Sequence, residues 1–316
     1  MVRIFYVCDI HGSNTVWAKI IGATQRYKFD VLMVYGDLTG KAIVPIVKMG
    51  ENKWYCAPWG KREILRSEKQ VEHVARIFDG KGFYTYITTE DELEELKNNP
   101  QRLERLFVEL MKERLRKWIQ QAEEKVPKDK TIIMMPGNDD RFEIDEILIN
   151  SERVIYPVGK VIYIGDKYPL ISCEWVNITP WNTPRQCTDE ELEKRLEKEF
   201  ERVDKKEIER LICGFHAPPY NTNLDIATKL DENLRPVTRL GFPVKTHVGS
   251  KAVRKLLEKY QPMLGLHGHI HESKGIDKIK KRTVCINPGS EYEEGILKAC
   301  IVEIRDNKVK HFFIEG

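Results

Sequence analysis

Seven side chains with oxygen or imidazole donors lie in five short segments of this sequence, and each segment directly follows an apolar run that predicts a β-strand. In open α/β sheets, ligands bind beyond the C-terminal ends of the strands. Carboxylate, imidazole and amide donors suit Mn, Fe, Zn or Ni. The sequence therefore predicts a site for two divalent transition-metal ions, formed by Asp9, His11, Asp37, Asn138, His216, His269 and His271.

Two ions held side by side would favour the chemistry of phosphate esters. Ions about 3.5–4 Å apart clamp a phosphate and convert a bridging water into hydroxide near neutral pH. A carboxylate can bridge two ions, and Asp37 is well placed to do so. Hydrolysis would then follow by in-line attack of the metal-bridging hydroxide on phosphorus.

The elements that must position these residues alternate between strand and helix, which indicates an α/β layered fold. Buried strands are predicted before each segment, at 2–8, 31–35, 131–135, 211–215 and 263–266, and a hairpin is predicted from 154–156 and 161–164. Residues 1–316 are expected to form one domain, with a mainly helical elaboration at about 41–130. Ser250 can cap a helix that ends near Tyr260, since Pro262 forbids continuation.

Composition narrows the class of protein. The net charge is only +3 over 316 residues, which disfavours a nucleic-acid partner without excluding one, and a small phosphate ester or nucleotide is the expected substrate. The seven cysteines are odd in number and form no CxxC pair, which favours a reduced, cytoplasmic protein. No apolar run approaches the length of a membrane span, so no membrane partner is expected. The sequence does not determine the oligomeric state.

The ordered motifs resemble those of calcineurin-like metallophosphoesterases, whose pattern runs D-x-H, G-D, G-N-H-[DE], H and G-H-x-H. The subgroup it resembles is a set of predicted prokaryotic phosphoesterases with GND in place of GNH. The resemblance implies a four-layer α-β-β-α sandwich of two mixed β-sheets flanked by helices. It also implies that one metal is bound by Asp9, His11 and His271, the other by Asn138, His216 and His269, with Asp37 as the bridge.

Asp139 departs from the family pattern, in which a His that is thought to protonate the leaving group follows the Asn. A carboxylate near two metal ions would be ionised and a poor acid at neutral pH. Three interpretations stay open. The enzyme acts on phosphodiesters or activated esters, another group supplies the proton, or the site binds metal as an interaction scaffold without turnover.

His247 is the candidate for the replacement acid, because it precedes a helix expected to begin at the active face. A capping or packing role is the alternative. His267 is expected to be a core residue. Arg141 and Lys245 are possible phosphate contacts, although such residues are more often only solvated.

The aromatic residues Trp54, Tyr55 and Trp59 are expected either to line a substrate pocket or to pack the elaboration at 41–130 against the core.

These patterns predict a metal-dependent phosphoric ester hydrolase that prefers phosphodiesters over monoesters, with Asn138, Asp139 and His247 as its candidate catalytic residues. The alternatives are the scaffold without turnover and a nuclease.

Overall fold

Two mixed β-sheets, with helices packed against them, position the candidate residues in the computed structural model, which describes residues 1–316 apart from the side chain of Trp59. The α-helices are α1 (Asn14–Thr24), α2 (Glu68–Gly80), α3 (Glu90–Asn98), α4 (Pro100–Lys125), α5 (Asp145–Ile149), α6 (Asp189–Glu201) and α7 (Lys251–Tyr260). Short 3-10 helices lie at Pro58–Gly60, Phe142–Ile144, Lys205–Arg210 and Tyr292–Glu294.

The strands, in chain order, are β1 (Val2–Cys8), β2 (Val31–Tyr35), β3 (Ile43–Gly50), β4 (Lys53–Cys56), β5 (Glu63–Leu65), β6 (Tyr84–Thr89), β7 (Thr131–Met135), β8 (Ile162–Ile164), β9 (Tyr168–Cys173), β10 (Val176–Asn177), β11 (Gln186–Cys187), β12 (Ile212–Phe215), β13 (Ile226–Thr228), β14 (Thr238–Arg239), β15 (Phe242–Pro243), β16 (Lys245–His247), β17 (Leu264–Leu266), β18 (Gly275–Ile279), β19 (Thr283–Asn287), β20 (Lys298–Arg305) and β21 (Lys308–Glu315).

The first sheet has the order β21-β20-β1-β2-β7, and the second has the order β18-β19-β17-β12-β9-β8. The central strands are parallel within each sheet: β1, β2 and β7 in the first, and β9, β12, β17 and β19 in the second. Their near-continuous burial explains the apolar runs in the sequence, because parallel strands are covered on both faces.

Three apolar clusters hold these elements together. The first joins the first sheet to α1 and α4, where Trp17 stacks on Trp118 with ring centroids 5.0 Å apart. The second lies between the sheets and includes Ile4 and Leu266, one residue from each. The third packs α6 and α7 against the second sheet. Both main sheets are thus fixed in place by buried side chains on both faces.

Helix ends follow the capping signals of the sequence. The Ser250 hydroxyl accepts a hydrogen bond from the Val253 N–H at the start of α7, and the helix stops at Tyr260, before Pro262. Thr188 caps α6 in the same way, by accepting from the Glu191 N–H. Such side-chain acceptors satisfy one of the free N–H groups in the first helical turn.

The hairpin predicted from 154–156 and 161–164 is wrong. Ile155 makes only an isolated parallel bridge to Ile133, next to the first sheet, whereas β8 pairs with β9 in the second sheet. The two segments therefore belong to different sheets, and Pro157 lacks the N–H that would extend the pairing beyond Ile155.

The elaboration at 41–130 contains α2, α3 and α4 and also a four-stranded sheet, of order β5-β4-β3-β6, that the sequence pattern did not predict. Trp54 is buried in the cluster of this small sheet, together with Ile46 and Leu65. The Tyr55 hydroxyl bonds to Glu90. Both aromatic side chains therefore pack within the elaboration, while the side chain of Trp59 lies outside the described residues.

Among the helices of the described residues, none combines the length and apolar character needed to cross a bilayer. The seven cysteines are free, and all but Cys187 are buried.

Candidate metal centre

The first sheet brings three candidate segments to one edge. Cys8 is in register with Tyr35, and Tyr35 with Met135, so β1, β2 and β7 end at the same level. The loops that follow carry the donor residues directly beyond these ends. Their backbones are joined, because the Asp9 N–H donates to the Tyr35 carbonyl and the His11 N–H to the Asp37 carbonyl.

The second sheet supplies the remaining imidazoles from the ends of β12 and β17, which are parallel neighbours. His216 follows β12 directly, and its N–H donates to the Cys173 carbonyl of the adjacent strand. The His269 N–H donates to Asp9 Oδ2 at 2.9 Å, a bond that links the two sheets at the cluster. His269 and His271 are half-buried, whereas the other five candidate residues are buried.

The structure brings all seven predicted donor residues together. Asp9, His11, Asp37 and His271 form one group whose donor atoms lie within 4.8 Å of one another, and Asp37, His216 and His269 form a second. Asp37 thus belongs to both groups. The Asn138 Oδ1 lies 3.0 Å from His216 Nε2, which places the amide beside the second group.

Glycines before the donor residues are required by close packing. A Cβ on Gly36, which has a φ of +70°, would lie 2.2 Å from the His216 ring. A Cβ on Gly137 would lie 2.2 Å from the Asp37 nitrogen and 2.8 Å from His216 Nε2. The G-D and G-N spacings therefore let the loops approach closely enough for their side chains to meet.

Four of the seven donor residues hold left-handed backbone conformations, with φ of 54° at Asp9, 40° at His11, 31° at Asp37 and 68° at His269. Non-glycine residues in this region cost roughly 1–3 kcal/mol each and persist where the surroundings impose them, often at functional sites. This strain turns the chain sharply at each strand end and directs the donors toward one another.

Burial and the charged side chains of the cluster shift the pKa values of its histidines. Burial would lower the pKa of His216, but the carboxylates of Asp37 and Asp9 outweigh burial and raise it to about 9. Burial, followed by the charge of His216, lowers the pKa of His269 to about 3. Burial likewise lowers the pKa of His11. A proton on His216 thus balances the carboxylates, a role that bound cations would take over.

A buried carboxylate oxygen without a hydrogen-bond partner shows that the cluster suits metal ions. Asp9 Oδ1 is buried, has no such partner and lies 3.7 Å from His216 Nε2. Most buried polar groups in proteins are hydrogen-bonded, so each exception calls for an explanation. The donor set is also chemically right, since carboxylate, imidazole and amide oxygen are ligands for first-row divalent ions. The residues present therefore fit a metal centre.

Asp139 lies at the rim of the cluster and pairs with a residue that the sequence interpretation missed. Its Oδ2 lies 3.0 Å from Lys41 Nζ and 3.8 Å from His11 Nδ1. Burial and the charge of Asp37 raise the pKa of Asp139, while Lys41 acts in the opposite direction. Burial lowers the pKa of Lys41, but the charges of Asp139, Asp37 and Asp9 exceed that effect and raise it.

His247 does not lie in the first turn of α7. It ends strand β16, and its Nδ1 lies 2.7 Å from Oδ1 of the buried Asp225. Its ring also contacts Tyr220, with centroids 5.9 Å apart. His247 is therefore held by the loop around Asp225 and is absent from both metal-ligand groups.

The other side chains named from the sequence have partners outside the cluster. Arg141 pairs with Glu104 at 3.0 Å, and Lys245 bonds to Thr228 at 3.0 Å. His267 is buried, and its Nδ1 lies 2.9 Å from the Phe215 carbonyl oxygen, as expected of a core histidine.

Three supporting residues were missed in addition to Lys41. The Asp140 carboxylate accepts from the N–H groups of Leu38, Thr39 and Gly137 and so joins the Asp37 loop to the Asn138 loop. The signal was present in the sequence, since Asp140 occupies the [DE] position of the G-N-H-[DE] pattern.

The second and third supporting residues lie near the C-terminus. The Tyr292 ring packs on His11, with centroids 4.5 Å apart. The Asn287 amide donates to the Ile270 carbonyl at 3.0 Å, within the loop that carries His269 and His271. The sequence signal for Asn287 was its place as a polar residue at the end of the buried strand β19. No sequence pattern pointed to Tyr292.

No family model matches the chain. Over 163 residues it is 33% identical to the uncharacterized protein MJ1162 of Methanocaldococcus jannaschii, a match that covers 50% of this chain and 63% of that relative. The chain thus spans less than two thirds of the length of the curated relative it matches.

Two solved structures show the same fold over nearly the whole chain. One crystal structure has a TM-score of 0.58 and 16% sequence identity, and covers 99% of both chains. The structure of TT1561 from Thermus thermophilus has a TM-score of 0.54 and 12% identity, and covers 98% of both. At these identities the two likenesses show the mixed α/β fold of the chain and no more.

Proposed function

We propose that this protein is a dinuclear metal-dependent phosphoesterase, built as a four-layer α-β-β-α sandwich, that hydrolyses phosphodiesters in preference to monoesters. The observation that carries the proposal is the pair of donor groups that share Asp37, together with the buried Asp9 Oδ1, which has no hydrogen-bond partner. A fold has no structural need to gather two carboxylates and four imidazoles in this way, because burying such groups without partners is costly.

Each residue has an assigned place in this proposal. Asp9, His11 and His271 would hold one ion, Asn138, His216 and His269 would hold the other, and Asp37 would be shared by the two sites. When bound, the two divalent cations supply the positive charge and the activated water that ester hydrolysis needs. Mn, Fe, Zn or Ni would suit this donor set.

The loops of the chain keep these donors in place. The Asp139 N–H donates to Asp37 Oδ1 at 2.8 Å, which leaves Oδ2 free to face the imidazoles. The Asn138 Nδ2 donates to the Thr183 hydroxyl at 3.1 Å and thereby turns the amide oxygen toward His216. Orientation of this kind by neighbouring groups raises metal affinity.

The preference for diesters rests on Asp139. Burial raises the pKa of Asp139, but the ion pair with Lys41 and two bound cations would favour its ionised form and make it a poor proton donor. The esters cleaved best would then be those whose leaving group needs little protonation. His247 stays a candidate proton donor, because its bond through Nδ1 to Asp225 leaves Nε2 available.

The experiment is hydrolysis of an aryl phosphodiester and of the matching aryl phosphomonoester by protein loaded with Mn²⁺, with metal content measured on the same sample. We expect turnover of both esters, faster for the diester. A protein that holds metal and hydrolyses neither ester would overturn the enzymatic proposal in favour of a scaffold. Faster monoester hydrolysis would overturn the diester preference alone.

A further inference from the structure

Lys41 is the cationic side chain that pairs with Asp139, the residue that departs from the G-N-H-[DE] pattern. It lies in the loop between β2 and β3, four residues after Asp37, and its ammonium group is 3.0 Å from Asp139 Oδ2. Its side chain is 52% exposed, whereas that of Asp139 is 20% exposed. The pair therefore sits at the mouth of the cluster, with Asp139 on the inner side and Lys41 on the outer side.

The backbone that carries Lys41 is well anchored. The N–H groups of Leu38 and Thr39 donate to the buried Asp140, and the Gly40 N–H donates to the Tyr84 hydroxyl at 2.9 Å. Glycine is required at position 40, since a Cβ there would lie 1.7 Å from the Gly82 carbonyl oxygen. The position of Lys41 at the rim is thus set by the fold and not by a free loop.

The Lys41 ammonium group has one carboxylate partner among the described residues, Asp139. An ammonium group has three N–H donors, of which Asp139 takes one. The exposed side of the group leaves donors for a second anion that approaches the cluster from solvent.

A lone carboxylate at the mouth of a phosphate site would repel the substrate, whereas a neutral Lys–Asp pair would not. On the basis of the proposed function, we infer that Lys41 is a phosphate-binding residue whose ammonium group donates to an oxygen of the substrate, and that Asp139 is its positioning residue. The pair occupies the place in the motif where the related pattern has a single histidine.

The test measures the affinity of metal-loaded protein for orthophosphate by calorimetry in the wild type, Lys41→Ala, Lys41→Arg and Lys117→Ala. Lys117 is a control because its partner, Glu113, lies on the surface of α4. We expect Lys41→Ala to weaken phosphate binding about tenfold or more, the loss of one charge-assisted hydrogen bond. Lys41→Arg should restore most of the affinity, and Lys117→Ala should leave it unchanged.

A second readout detects the lysine itself. Orthophosphate should slow acetylation of Lys41, followed by peptide mass spectrometry, and leave that of Lys117 unchanged. Unaltered phosphate affinity in Lys41→Ala, at wild-type metal content, would overturn the role of Lys41 while leaving the proposed function intact. Metal-loaded wild-type protein that binds no phosphate would overturn both. Phosphate binding by the wild type separates these outcomes. Metal content in Lys41→Ala should stay at the wild-type level, because Lys41 is not a ligand, and this excludes loss of the ions as the cause of weaker binding.

Discussion

Two sets of buried acidic residues in this protein have opposite surroundings. Asp140 and Asp225 are saturated: Asp140 accepts from three backbone N–H groups, and Asp225 accepts from those of Asn221, Thr222 and Gly249 and contacts the His247 ring. Asp9 differs, because its Oδ1 has no hydrogen-bond partner although it is fully buried. It faces His216 Nε2 at 3.7 Å.

The difference separates structural from functional acids. A carboxylate whose oxygens are filled by N–H donors already has the partners it needs, and it holds loops together. A carboxylate with an oxygen left open among imidazoles has a place for a further ligand.

The largest expected effect comes from removing the carboxylate shared by the two donor groups. Asp37→Asn should lower phosphodiester hydrolysis roughly 100- to 1,000-fold, because metal-ion stabilisation is worth several kcal/mol. Metal content should fall in the same variant, as measured by elemental analysis. Asp306→Asn changes an exposed carboxylate and is the matched control. Full metal content and turnover in Asp37→Asn would remove Asp37 from the centre.

Replacing a carboxylate that is saturated with hydrogen bonds, such as that of Asp225, should lower the stability of the protein. Asp225→Ala leaves buried N–H groups and His247 without their acceptor, so the free energy of unfolding should fall by about 3–5 kcal/mol. Urea denaturation monitored by circular dichroism measures this change. Metal content per folded molecule should stay at the wild-type level, and Asp129→Ala, which removes an exposed carboxylate, should cost almost nothing. A loss of metal without a loss of stability would reverse the assignment of Asp225.

Disturbing the close packing around the cluster should have an effect of intermediate size on stability and metal binding. Gly137→Ala places a methyl group against the Asp37 nitrogen, which should cost about 1–3 kcal/mol of stability and weaken metal binding. Gly22→Ala is the control, because Gly22 lies in α1 and a Cβ there meets nothing within 4 Å. That control should be neutral or stabilising by about 0.5–1 kcal/mol. Equal behaviour of the two variants would contradict the packing argument.

The smallest effect concerns pH. Burial lowers the pKa of His267 to about 4, below its ordinary value of 6.5. The unfolded chain therefore binds more protons between these two values, and stability is full above pH 6.5 and declines as the pH falls toward 4. His267→Gln should flatten this part of the profile, as measured by urea denaturation at several pH values. An unchanged slope would show that His267 is not responsible.

The strand ends could be predicted from the sequence because their signals are local. A buried parallel strand such as Val31–Tyr35 is a continuous apolar run, and Asp37 stands just beyond its end. The mixed α/β fold follows from repetition of this pattern. The sheet within 41–130 could not be read in the same way, since β3 pairs with β6 across the intervening hairpin and helix α2.

The missed residues depend on contacts distant in sequence. Lys41 looks like a solvated loop lysine, and its partner Asp139 lies 98 positions further along the chain. His247 was expected at a helix N-terminus, whereas pairing with Ile226 places it on a strand. Only the fold shows which charged side chains meet, so donor types could be predicted but their neighbours could not.

A crystal structure of protein soaked in Mn²⁺, with anomalous scattering recorded, would show whether the seven donor residues hold two metal ions. We expect two anomalous peaks about 3.5–4 Å apart, with the Asp37 carboxylate in contact with both. A single peak, or peaks located away from Asp37 and His216, would contradict this expectation.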